Sequence, residues 1–136
     1  MISRRALLVC LCFVATSVLA GLSAFALAEG FTGSYSLGAP AASGADVQIT
    51  ISLAVTNNNS FDVSNASIAL HDPRAARVTY GNLNGLALPS GKATQVSGSF
   101  TVPRQLYESW QKGSSPALSV SFTDANGKPV RTFIEF

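Results

Sequence analysis

The sequence predicts an all-β fold, an antiparallel sandwich of about seven strands, on three observations. Residues 46–56 alternate without interruption: Val47, Ile49, Ile51, Leu53 and Val55 against Gln48, Thr50, Ser52, Ala54 and Thr56. The same period returns at Val96, Gly98, Phe100 and Val102, and again at Leu118, Val120 and Phe122. Runs rich in Gly, Asn and Pro divide these segments. A period of two gives each strand one face for a core and one for water.

In chain order, Phe31–Leu37 reads as a weak first strand and residues 38–44, rich in Ala and Gly, as a flexible connection. Residues 46–56 and the segment from Phe61 read as two antiparallel strands joined by the turn-tolerant run Asn57-Asn58-Asn59-Ser60. Phe61 and Val63 share one phase, whereas Ala66, Ile68 and Leu70 continue in the opposite one, so a β-bulge is expected near Ser64-Asn65. Val78 and Tyr80 mark a short strand closed by the run from Gly81 to Gly85, and Leu86 and Leu88 lead into a turn at Pro89-Ser90-Gly91. Leu106, Tyr107 and Trp110 share one face of a short helical turn within residues 103–112, with Pro103 at its start and Gly113 past its end. Asn126-Gly127 predicts a type I′ hairpin, and Val130, Thr132, Ile134 and Phe136 its return strand.

Residues 1–28 read as a cleavable signal peptide and residues 29–136 as one domain. Arg4 and Arg5 precede a charge-free stretch ending Ala26-Leu27-Ala28, whose small side chains suit a signal peptidase. Ser3-Arg4-Arg5-Ala6-Leu7-Leu8 half-matches a twin-arginine signal; no Lys follows the leucine pair, so general secretion is expected. The product would be periplasmic or extracellular.

The chain has 136 residues, 47% apolar and 12% charged, with a formal charge of +2. Arg4 and Arg5 account for that excess, and the remaining basic and acidic residues balance. A neutral product excludes an electrostatic nucleic-acid binder and offers anionic lipid nothing, so no membrane insertion is expected after cleavage. Cys10 and Cys12 leave with the signal, and with them any disulfide or thiolate metal site.

Several of these segments resemble bacterial immunoglobulin-like domains, in particular the adhesion-related CARDB-like class. The likeness lies in Leu53-Ala54-Val55-Thr56-Asn57, the Asn-rich loop, and Val63-Ser64-Asn65-Ala66-Ser67-Ile68-Ala69-Leu70, followed by Phe100-Thr101-Val102-Pro103 and the helical turn to Trp110. The resemblance implies an immunoglobulin-like sandwich with a binding or spacer role.

Candidate chemistry is sparse. His71, the only histidine, reads as a loop residue, because no spacing gathers further ligands or a catalytic acid around it. Asp124-Ala125-Asn126-Gly127 lacks the ligand run of a calcium loop and reads as a turn. Ser97, Ser99 and Ser121 lie on outward strand faces outside any Gly-x-Ser-x-Gly turn. No catalytic residue, cofactor or metal is therefore expected. The terminal Phe136 resembles the end of an outer-membrane barrel, yet the strands are too short and their outward faces too polar.

Two interaction sites remain. Tyr107 and Trp110 would stack on a sugar if exposed, as in a carbohydrate-binding module; the favoured reading has Leu106 and Trp110 plug one end of the core with Tyr107 at the rim. Arg131 and Glu135 flank Phe133, which points one apolar side chain outward from a terminal strand without guarding lysines. The expected protein is an exported, non-catalytic module of the bacterial cell envelope. It would bind a protein of the envelope, or a second copy, through an edge at residues 130–136; the alternative is a glycan bound through Tyr107 and Trp110, and a hydrolase is the least expected reading.

Overall fold

The uninterrupted alternation of residues 46–56 becomes the central strand of one of two packed sheets. The structure, a computed structural model, describes residues 30–136; the expected signal peptide lies outside the described residues. Eight strands and one helix follow in order: β1 (Phe31–Leu37), β2 (Ala41–Ser43), β3 (Asp46–Asn57), β4 (Val63–His71), β5 (Thr79–Leu88), β6 (Ala93–Pro103), α1 (Arg104–Gln111), β7 (Ala117–Thr123) and β8 (Pro129–Phe133). β6 lies along one side of β3 from Ala93 to Pro103, and β1 and β2 share its other side. The second sheet runs β5-β4-β7-β8, and every strand pair in both sheets is antiparallel. With β1 and β2 counted as one split edge, seven strands divide three and four, an immunoglobulin-like sandwich.

Period-two burial explains the core. Val47, Ile49, Ile51, Leu53 and Val55 are all buried from β3, and Ile68, Leu70, Leu118 and Val120 are buried from the facing sheet. On β6, Gly98 occupies a core-facing position because Leu83 of β5 lies directly over it, where a Cβ would collide. The expected bulge is present: Asn65 adopts φ 51°, and the β4–β5 register shifts between Val63 and Ala66.

Five expectations change. β3 and β4 do not pair; the Asn-rich loop carries the chain from one sheet to the other. Both strands have a single apolar face, and facing each other across the core buries both. Residues 38–44 are not a loose connection: Gly38 N–H bonds Thr50 C=O at 2.8 Å, β2 pairs with β3, and Gly44 turns at φ 64°. The glycines at 81 and 85 do not end a strand. With φ 143° and 68° they bend β5, which continues to Leu88.

The β7–β8 turn is not type I′, because Gly127 alone in it has positive φ. Gly127 N–H bonds Asp124 C=O at 3.0 Å, and the Asp124 carboxylate accepts the Asn126 and Lys128 N–H groups. That is a type I turn closed by a left-handed glycine. The terminal strand is also shorter than expected. β8 stops at Phe133, and Glu135 crosses to β1, where its C=O accepts the Gly33 N–H at 2.9 Å and its N–H bonds Phe31 C=O at 3.1 Å.

Candidate functional site

His71 is not a loop residue. It ends β4 at 2% exposure, on the outer face of the second sheet, where Phe133 of β8 leans over it with ring centroids 5.2 Å apart. Nδ1 lies 2.7 Å from the Ala76 carbonyl, which can only accept, so Nδ1 carries the proton. Nε2, 2.6 Å from Ser119 Oγ, therefore accepts the hydroxyl proton. Ser119, which the alternation sets on the face opposite Leu118 and Val120, is 0% exposed. A serine bonded to an oriented imidazole has the connectivity of a nucleophile and its base. Here both groups are covered, and the pair serves to satisfy buried polar atoms.

At the end of the sandwich where β6 runs into α1, Leu106 and Trp110 fall one helical turn apart and point into the core. Gly113 (φ 112°) ends the helix: its N–H bonds Trp110 C=O, while Ser114 N–H bonds Ser109 C=O, a Schellman pair. Trp110 is 6% exposed and meets the half-buried Tyr107 edge-on, at 82°. Trp110 is the plug, and the two rings form no flat platform.

Beside this plug a groove of about 380 Å³ runs between α1 and the β4–β5 loop, lined by Asp72, Arg74, Tyr80, Gln105 and Trp110 among others. Tyr80 donates its hydroxyl to the Asp72 carboxylate at 2.7 Å. That bond, with the Arg74 backbone N–H, holds Asp72 below the usual carboxylate range, and the same bond raises Tyr80.

The opposite end turns on Asn57, which by sequence belongs to a turn and which is 0% exposed. Its amide donates to the carbonyls of Phe61 (3.0 Å) and Leu88 (2.8 Å), and its Oδ1 accepts from the backbone and side-chain amides of Asn59. Every donor and acceptor of that side chain is used. The local signal for its burial is its place in the alternation, on the same parity as the buried Leu53 and Val55.

Phe133 stands 44% exposed, while Arg131 and Glu135 are exposed beside it. Tyr107 lies far from these three in the topology, on α1, so the candidate residues form two separate places rather than one. The backbone of β8 divides by parity. Ile134 N–H bonds Leu118 C=O and Asp124 N–H bonds Lys128 C=O, so Val130 and Thr132 bond inward to β7. Arg131 and Phe133 turn their N–H and C=O groups outward, where no described strand pairs with them.

Among the described residues no cluster of three His, Cys, Asp or Glu side chains could hold a metal ion, and no helix is long and apolar enough to cross a membrane. No family model and no curated protein matches the chain. The solved structure of Northeast Structural Genomics Consortium target SoR45 superposes with a TM-score of 0.41 at 8% identity, over 78% of this chain and 81% of that one.

Proposed function

We propose that the chain is an exported, non-catalytic binding module of the bacterial cell envelope, and that it docks a protein through the edge of β8. One observation carries the reading: the outward backbone of Arg131 and Phe133, beside an apolar ring exposed over the sheet. An edge of this kind recruits an extended partner by backbone hydrogen bonds, with the side chains setting preference. The reactive groups support the same reading, since His71 and Ser119 are consumed by each other and by Ala76. The glycan reading loses its aromatic platform with Trp110 in the core.

The test is site-specific photo-crosslinking in the native cell. A crosslinker replacing Phe133 or Arg131 is expected to give a discrete adduct, and one replacing the outward Ser97 of β6 is not. Equal labelling at the three positions, or none at β8, would remove the edge as the interface. Labelling from Tyr107 alone would move it to α1.

A further inference from the structure

The edge of β8 also specifies its occupant. We infer that it pairs with the same edge of a second copy of this chain, antiparallel about a two-fold axis at Thr132; this rests on the edge reading above. The available groups are few. Glu135 has both backbone groups committed to β1, Pro129 has no N–H, and Arg131 and Phe133 keep one donor and one acceptor each. Upstream of β1 the one described residue, Gly30, lies beside Thr132 with its own backbone groups committed elsewhere. Gly30 (φ 113°) gives its N–H to Asn59 Oδ1, and its C=O accepts the Asn58 N–H, both in the β3–β4 loop.

Three registers fit a two-fold axis on this short edge. An axis at Phe133 sets Arg131 against Glu135, whose backbone is taken, and only the Phe133 pair can bond. An axis at Arg131 sets one guanidinium directly across from another, a destabilising like-charge pair. An axis at Thr132 sets Arg131 across from Phe133 of the second copy, twice. All four outward donors and acceptors are then used, and each guanidinium meets an exposed aromatic ring. Of the three, only this register satisfies both the backbone and the side chains. A chain whose charges balance after export adds no long-range repulsion to oppose it.

Two residues per chain bury far less than the roughly 1,000 Å² expected of a stable interface, so the dimer is weak and concentration-dependent. Its register can be trapped. In it the two copies of Thr132 face each other as a non-hydrogen-bonded pair with Cα atoms about 4.5 Å apart, within disulfide reach, whereas Arg131 and Phe133 each meet their own copy only diagonally.

The experiment oxidises three single-cysteine variants of the exported protein, Thr132→Cys, Arg131→Cys and Phe133→Cys, and sediments the parent over a concentration series. Thr132→Cys is expected to give several-fold more covalent dimer than the other two. Arg131→Pro, which removes an outward N–H and the guanidinium but no bond to β7, is expected to abolish the parent's concentration-dependent mass while leaving its circular dichroism unchanged. Proline at 132 would not serve, because that N–H bonds β7. Preferential trapping at 131 or 133, or a parent monomeric at every concentration, would overturn the inference. A monomer that still gives a photo-adduct to another protein at Phe133 overturns the self-pairing and leaves the edge reading standing.

Discussion

Where β6 meets α1, Leu106 and Trp110 close the core with apolar volume; at the opposite end Asn57 closes it with hydrogen bonds. The two solutions fail differently. An apolar plug is non-directional, so a replacement loses stability according to the volume it leaves empty. A saturated amide is directional, so a replacement of similar shape but wrong donors strands its partners away from water. The helix end therefore tolerates changes of shape better than the loop end tolerates changes of chemistry.

The comparison can be broken from its strongest side. Trp110→Ala is expected to cost about 3–5 kcal/mol in denaturant melts, and Trp110→Phe clearly less. Equal losses would mean that volume does not close the helix end. Ile51→Ala and Leu53→Ala, in the wall between the ends, should cost about 2–5 kcal/mol each. Thr50→Ala and Ser52→Ala on the opposite face should stay within about 0.5 kcal/mol. At the loop end, Asn57→Ala should cost about 3 kcal/mol by orphaning the carbonyls of Phe61 and Leu88. Asn57→Asp, nearly identical in shape, should cost at least as much, because it aims acceptors at acceptors. A stable Asn57→Asp protein would show that hydrogen bonding does not hold that end.

The smallest effect sits at the groove. Asp72 is depressed by its bond from Tyr80, so its contribution is present above the ordinary carboxylate range and fades as pH falls through the lowered value. Tyr80 is raised by the same bond, so its contribution is fully present below the ordinary tyrosine range and is lost as pH rises from there through the raised value. The stability difference between the parent and Tyr80→Phe is expected to be small, flat between those limits and smaller at both extremes. A difference that grows toward acid would contradict the assignment.

Much of this architecture was legible in the chain because it is local. The alternation in β3, the phase change at Asn65 and the Leu106–Trp110 spacing each follow from backbone periodicity within one segment. The fold class and the plug followed from those patterns. Even the outward aim of Phe133 was visible, since Arg131 and Glu135 share its parity.

What tertiary structure alone decided is which elements meet. Two strands with the right alternation can pair side by side or face each other across a core, and periodicity is identical in both cases; here β3 and β4 face each other. Serine and histidine read as wet residues until another strand lays an aromatic ring over them, as Phe133 does over His71. Asn57 reads as a turn residue until four groups, two of them the backbone carbonyls of Phe61 and Leu88, converge on its amide. The length of the β8 edge left unpaired by the described strands was set by Glu135 crossing to β1, a pairing between residues at opposite ends of the described chain. Local sequence determines the face a side chain takes; which partner covers that face depends on contacts distant in sequence, and no periodicity encodes them.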